Sequence, residues 1–385
     1  MAPLVAIVRC ATYGAQEVES SVAQALSLLG GMGRFVKKGD RVLLKVNMLA
    51  ASSPEQSIAT HPEVVKAVVR QVQSAGGIPI IADSPGGPFN RKALDAAYER
   101  CGYRAVADET GAMLNYDTAA VVRSIPGAKL LKRMDLIAVL DDVELVITLP
   151  KMKTHTLTQF TGATKILFGL VPGLIKPTYH LRFPDPAMFS DMLLDILCHV
   201  KPALSIMDGV VGLEGDGPGA QGSPKKAGVI LASGDSVALD VVATSVIGMN
   251  AADVVILRQA MARGLCSQEV SDIEVVGAKI ADVMVPFKPA SGAKGIVGRV
   301  MSSKALRSFA LALLVPYPVA GKNCVRCGIC AQNCPAKAIT VSDKARMDLG
   351  RCIRCYCCHE LCPHKAITLK SRLGWLGKAG TRGKV

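Results

Sequence analysis

Aromatic residues are scarce in this chain: one Trp, seven Tyr and eight Phe make up 4% of 385 residues. A core must therefore be built from aliphatic side chains, which a 50% hydrophobic content supplies. The interleaving of aromatics with basic residues that many nucleic-acid binders use is missing, and no recognisable nucleic-acid module occurs, which argues against nucleic acid as a partner. Long apolar runs are missing too. The stretch that begins at Phe309 is broken by Pro316 and Pro318 and is too short to span a bilayer. The opening MAPLVAIVRC has neither the charged n-region nor the apolar h-region of a secretory signal. The expectation is a cytoplasmic chain, in which clustered cysteines are metal ligands rather than disulfides.

Acidic residues are nearly absent from the last quarter. Residues 291–385 hold 17 Lys or Arg and only 3 Asp or Glu, whereas residues 1–290 are balanced at 28 of each, so the whole net charge of +14 sits at the C-terminal end. Such a region attracts an acidic partner or an anionic surface.

The same region carries eight of the 13 cysteines in two runs. Cys324-x2-Cys327-x2-Cys330-x3-Cys334-Pro335 recurs as Cys352-x2-Cys355-x2-Cys358-x3-Cys362-Pro363, offset by 28 residues at every ligand position. The offset also relates Arg326 to Arg354, Lys337 to Lys365 and Ala338-Ile339-Thr340 to Ala366-Ile367-Thr368. Iron–sulfur clusters take soft thiolates at this spacing, and the fourth cysteine of each run ligates the other cluster. One cluster is therefore expected on Cys324, Cys327, Cys330 and Cys362, the second on Cys352, Cys355, Cys358 and Cys334. Zinc ribbons use two CxxC pairs and have no need of the third cysteine or the Cys-Pro. Two oxidised cubanes at −2 each would lower the local charge to about +10, still basic. Cys357 breaks the repeat, its counterpart being Ile329; Cys10, Cys101, Cys198 and Cys266 are scattered and read as buried thiols. Residues 319–370 resemble a bacterial two-cluster (2×4Fe-4S) ferredoxin, which implies low-potential electron transfer.

Residues 1–290 alternate β-branched runs with helical patterns. Strands are expected at 5–9, 41–46, 78–82, 144–149, 203–207, 228–232 and 272–276, and helices near 16–29, 62–75, 91–101, 187–199, 237–248 and 252–264. This order predicts a large α/β domain with a mostly parallel sheet, whose ligands bind at the C-terminal strand ends. Lys45, Asn47, Asp83, Lys151 and Asp208 all fall at such ends. Residues 291–318 form a connector in which 296–314 reads as a basic amphipathic helix, packed between domains or touching a membrane peripherally. Residues 371–385 read as a basic tail.

The densest polar segment is Leu149-Pro150-Lys151-Met152-Lys153-Thr154-His155, followed by Thr161-Gly162-Ala163-Thr164-Lys165. Its lysines suit a phosphate or carboxylate, and His155, among lysines, is the acid/base candidate. The segment from Asp208 to Gly219, with five glycines, Glu214 and Asp216, reads as a flexible loop able to carry a metal, hold a hydroxylated ligand or close as a lid. These segments, with Lys45-Val46-Asn47 and Ser236-Val237-Ala238-Leu239-Asp240, resemble the family catalogued as domain of unknown function 362, often fused to a two-cluster ferredoxin. The resemblance implies the one-chain architecture but brings no established reaction.

The expected activity is a ferredoxin-dependent iron–sulfur oxidoreductase. An acidic ferredoxin or flavodoxin would supply electrons, and the two 4Fe-4S clusters would pass them to an anionic small molecule. Lys151, Lys153 and His155 are the expected catalytic groups, with Lys45, Asn47, Lys165, Asp208, Glu214 and Asp240 binding substrate. The alternative is a non-catalytic electron carrier or assembly factor that docks on a partner. No motif names a flavin or an additional metal.

Overall fold

A computed structural model describes residues 2–266, 270–291 and 315–370. The expected helix at 296–314 and the tail at 371–385 lie outside these residues. Ten strands form the main sheet: β1 (Leu4–Arg9), β2 (Arg41–Val46), β3 (Ile78–Ala82), β4 (Met113–Leu114), β7 (Leu145–Leu149), β8 (Lys151–His155), β9 (Gln159–Thr161), β10 (Leu204–Gly215), β11 (Gly222–Ser233) and β12 (Glu274–Gly277). A separate hairpin joins β5 (Ala120–Ser124) to β6 (Arg133–Ile137). The spatial order is β12-β1-β11-β10-β7-β2-β3-β4, with β8 beside β10 and β9 beside β8. The pairs β10–β7–β2–β3–β4 are parallel, and β11 runs antiparallel to both its neighbours. The domain is α/β with a largely parallel sheet.

Helices cover both faces. α1 (Ala15–Leu28), α2 (Pro62–Ser74), α3 (Arg91–Arg100) and α4 (Tyr103–Thr110) pack on one side, where Val18, Val22, Val64, Val68, Val72 and Leu94 meet Leu44, Val46 and Ile81. α2 illustrates why the sequence folds so. Pro62 presets the first helical φ, the His61 side chain accepts the Glu63 amide, and the run Val64, Val65, Val68, Val69, Val72 puts one branched stripe inward. After the short α5 (Lys176–Arg182), α6 (Pro186–Val200), α7 (Ser236–Val246) and α8 (Val255–Ala262) cover the opposite face, over Leu43, Ile80, Met207 and Leu231. Asp185 and Asp235 cap α6 and α7 through two backbone amides each.

Two expectations change. The glycine-rich segment from Asp208 is not a flexible loop: as far as Gly215 it is the last eight residues of a twelve-residue strand paired with β11. Glycine is there because a Cβ on Gly212 would lie 2.7 Å from the Met152 carbonyl and one on Gly209 would lie 2.9 Å from the Val229 carbonyl. The lysine-rich segment is likewise a strand, β8, buried at every position.

The cysteine-rich module repeats its backbone as it repeats its sequence. Helices Ile329–Gln332 and Cys357–Glu360 are related by the 28-residue offset, and so are the positive φ values of Arg326 (60°) and Arg354 (55°), Gly328 (78°) and Tyr356 (67°), and Lys337 (48°) and Lys365 (51°). β13 (Tyr317–Ala320) pairs with β16 (Ile367–Lys370), and β14 (Ile339–Val341) with β15 (Ala345–Met347). The module leans on the α/β domain: Leu361 packs on Gly86, where a Cβ would come within 2.6 Å of its side chain, and the Glu360 carbonyl sits over Gly219.

Elsewhere in the domain, the fully buried Asp195 of α6 accepts the amides of Lys129, Leu130 and Leu131 and pairs with the partly buried Arg263 at 2.9 Å. Asp195→Ala leaves the buried Leu131 amide without its acceptor, while Arg263 keeps Asp191, and should cost about 1–3 kcal/mol in chemical denaturation.

Candidate functional site

The C-terminal ends of β2, β3 and β8 open onto one cleft, closed from the other side by the cysteine module. Its empty space, counted out to the mouth, is about 810 Å³. Asn47, Asp83, Ser84, Lys153, Lys165 and Lys176 bring polar groups to it, and Met48, Ile166, Phe168 and Leu361 line its apolar part.

Each lysine is held differently. Lys45, fully buried, donates to the Val46 carbonyl at 2.6 Å and pairs with Asp83 at 2.8 Å. The pair stands directly behind Gly169, whose absent side chain makes room: a Cβ there would lie 2.2 Å from Asp83 Oδ1 and 2.5 Å from Lys45 Nζ. Lys153 reaches three neutral acceptors, Asn47 Oδ1 at 2.5 Å, the Ile58 carbonyl at 2.8 Å and the Pro218 carbonyl at 3.4 Å. Burial, reinforced by Lys165 and Lys151, lowers its pKa to about 7. Lys176 donates to the carbonyls of Ser84 and Pro85, and burial lowers it to about 7 as well. Among the described residues the Lys165 ammonium has no hydrogen-bond or ion-pair partner, and it lines the cleft; burial pulls its pKa down against the attraction of Glu360 and Cys357.

The other expected residues support this wall. Asp240 accepts the amides of Ala163 at 2.6 Å and Thr164 at 2.9 Å, which pins the loop that carries Lys165; burial raises its carboxyl to about 7 despite those bonds. Gly162 is obligatory beside it, since a Cβ would lie 1.9 Å from Asp240 Oδ1. Lys151 pairs with Asp208 at 2.8 Å and donates to Tyr13 Oη at 2.6 Å, while Tyr13 donates to Asp208 at 2.9 Å. This is a closed buried network away from the cleft. Glu214 accepts the Lys288 amide and lies outside it too.

His155 does not line the cleft. Its Nδ1 accepts the amides of Leu157 and Thr158, which leaves the ring proton on Nε2, and burial holds its pKa well below the usual value, so the ring is neutral. Nε2 faces Glu360 Oε1 of the module at 3.5 Å, and Thr156 Oγ1 reaches the same oxygen at 3.5 Å. Glu360 does line the cleft, with its pKa raised to about 7 by burial. The expected proton donor thus lies behind Glu360, outside the cleft, and its Nε2 makes no hydrogen bond among the described residues. Asp83, expected at a strand end, does line the cleft, and Lys176, Glu360, Cys357 and Asn333 are cleft residues that were not expected there. Asn333 is buried, and its Oδ1 has no hydrogen-bond partner among the described residues.

In the module, Cys324, Cys327, Cys330 and Cys362 line one cavity with about 360 Å³ of empty space. Cys334, Cys352, Cys355 and Cys358 line another of about 340 Å³. No cysteine is paired in a disulfide. Backbone amides point at sulfur: Ala338 to Cys334 at 3.2 Å, Ala366 to Cys362 at 3.3 Å and Ala345 to Cys324 at 3.4 Å. Among the described residues no three His, Cys, Asp or Glu converge closely enough to hold a single metal ion. Nor is any described helix long and apolar enough to cross a membrane.

An α/β domain whose strand-end cleft is roofed by a cysteine-repeat module defines the architecture. The chain belongs to the family described as domain of unknown function (DUF362), which it matches over residues 42–245. A thylakoid-associated protein, sll1697, of Synechocystis sp. (strain ATCC 27184 / PCC 6803 / Kazusa) is 36% identical over 262 residues, covering 66% of this chain and 77% of that protein. Two solved structures are distant, partial likenesses. The lactate racemase apoprotein from Thermoanaerobacterium thermosaccharolyticum shares 13% identity at a TM-score of 0.42, over 64% of this chain and 57% of that one. A Thermotoga maritima protein shares 14% identity at 0.33, over 52% and 51%.

Lys45→Met leaves Asp83 buried without its cation and should lower unfolding stability by about 3–5 kcal/mol. Lys45→Met combined with Asp83→Leu should recover only part of that loss in the same denaturant titration, because the buried Met48 amide that Asp83 accepts stays unpaired.

Proposed function

We propose that this chain is an iron–sulfur oxidoreductase that passes electrons through two 4Fe-4S clusters to a phosphate- or carboxylate-bearing small molecule in the cleft. The observation that carries the reading is the cleft's charge. Lys153, Lys165 and Lys176 face it, Glu360 is the carboxylate that answers them, and Asp83 is already neutralised by Lys45. A low-dielectric wall with excess ammonium charge is complementary to an anion.

The cysteine geometry fits the clusters. A zinc ion holds its sulfurs about 2.3 Å from itself, whereas each quartet surrounds a cavity, with backbone amides aimed at its sulfurs as they are at cluster thiolates. Cys324, Cys327, Cys330 and Cys362 would hold one cluster and Cys334, Cys352, Cys355 and Cys358 the other. When bound, the clusters supply one-electron reducing equivalents, which an acidic ferredoxin or flavodoxin would deliver from outside.

The chain's own residues do the rest. Lys165, with no hydrogen-bond or ion-pair partner among the described residues, takes the anionic group, and Lys153, fixed by Asn47, flanks it. Lys153 Nζ titrates near neutrality and can give up or hold a proton there, the role first expected of His155. Asn333 Oδ1 accepts a hydrogen bond from a hydroxyl or amine of the ligand. Leu361 on Gly86 and Glu360 over Gly219 keep water out of the roof.

Anaerobic reconstitution should load about eight iron atoms per chain. Inorganic phosphate and simple carboxylates should bind the loaded protein in calorimetry, with affinity falling as pH rises from 6 to 8. The lysines, depressed to about 7, are charged below that pH and lose the proton above it. The loss is about tenfold for each lysine that must be protonated. Lys165→Met should weaken binding at pH 6 by about tenfold or more. Loaded, reducible protein that binds and reduces no anion, and that loses partner capture in Lys165→Met, would favour the docking role instead.

A further inference from the structure

The two cysteine quartets are near-copies in sequence and backbone, but they do not stand alike toward the cleft. Cys357 lines the cavity of the Cys334, Cys352, Cys355 and Cys358 quartet and also lines the cleft. No described residue of the other quartet's cavity reaches the cleft. That other quartet faces outward instead: Cys327 is exposed, and so are Lys322, Arg326 and Val325 beside it. The break in the repeat falls at this junction. Where the first run has Ile329, the second has Cys357, a smaller side chain, buried at 6% exposure and immediately before the ligand-type Cys358. On the cleft side of Cys357 stands Lys165, which lines the same cleft as Cys357 and Glu360 and has no hydrogen-bond partner among the described residues.

We propose that Lys165, acting across Cys357, sets the potential of the inner quartet's group and not that of the outer one, so that the Cys334, Cys352, Cys355 and Cys358 quartet is the exit to the cleft and the Cys324, Cys327, Cys330 and Cys362 quartet the entry. This rests on the cluster reading above and assigns a direction within it. A fixed positive charge favours the reduced, more negative form of a nearby redox group, and the effect fades with distance and with water in between. Cys357 lines both the cleft that holds Lys165 and the inner cavity, whereas no described residue lines both the cleft and the outer cavity. Lys165 and Cys357 are positioning residues here: neither donates to the group, and each bears on how it exchanges one electron with a molecule in the cleft. An outside one-electron donor is oxidised at the entry side, and a cleft-bound acceptor is reduced at the exit side, one electron per event.

The test is a redox titration of the full-length, cluster-loaded chain at pH 6.5, followed by electron paramagnetic resonance. Cys327→Ser and Cys352→Ser assign the two signals to the outer and inner quartets. Lys165→Met should shift the inner midpoint to a more negative potential and leave the outer one in place. Lys165→Arg, which keeps the charge, should restore the wild-type value. Lys322→Met, on the outer face, should do the reverse and move only the outer midpoint. Should Lys165→Met fold poorly, wild-type protein titrated with inorganic phosphate reads the same coupling, because an anion beside Lys165 must lower the inner midpoint alone. Equal movement of both midpoints, movement of the outer one, or none overturns the assignment while leaving the oxidoreductase reading intact. Failure to load two clusters at all overturns both.

Discussion

Burying a lysine is costly unless its ammonium finds partners, and this fold buries three of them among its largest fully enclosed side chains: Lys45, Lys151 and Lys153. The manner in which each is satisfied organises the strand-end layer. Lys45 is neutralised by Asp83 and Lys151 by Asp208 with Tyr13, so those charges are spent inside the frame. Lys153 is solvated only by neutral oxygens, which satisfy its hydrogen bonds and leave its charge uncancelled. That difference, between pairs that close on themselves and an ammonium that does not, separates the scaffold from the site. It also explains why Gly162 and Gly169 are where they are: each lies against a buried carboxylate, Asp240 or Asp83, that a β-carbon would displace.

Much of this layer was legible in the sequence. The strands at 41–46 and 78–82 end where their hydrophobic runs end, and α2 begins at Pro62, because both signals are local and single-valued. Asn47 was picked out as a strand-end polar residue and Lys153 and Lys165 as part of the lysine-rich segment, and all three line the cleft. What misled was composition. Lysine, threonine and histidine in β8 read as a polar ligand-binding segment, yet the alternation of Lys151, Lys153 and His155 with Met152 and Thr154 is a strand's period of two. The glycines of β10 read as flexibility, but they are there because neighbouring backbone and side chains come too close for anything larger. In both cases tertiary packing overrode a residue-level preference.

The remaining cleft residues could not be read from the α/β sequence alone, because they arrive from a distant segment. Glu360, Cys357, Leu361 and Asn333 belong to the cysteine module, and only docking of that module onto Gly86 and Gly219 makes them walls of the cleft. His155 is the clearest case. Its sequence neighbours suggest a tuned acid, whereas burial makes it a neutral ring beside a carboxylate about two hundred positions further along the chain.

A repeat that is symmetric in ligand spacing and backbone becomes asymmetric once one half of it touches another domain. The 28-residue offset predicts two equivalent sites, and the paired positive φ values keep them equivalent locally. The docking contact falls on the second helix, Cys357–Glu360, and leaves the first, Ile329–Gln332, represented in the cleft only through the adjoining Asn333. Surface charge follows the same division, with exposed Lys322 and Arg326 on the free side and buried lysines on the docked side. A duplicated module joined to an unduplicated domain thus acquires an inside and an outside without any change in its ligand set, and the one cysteine that departs from the repeat lies on the boundary between them.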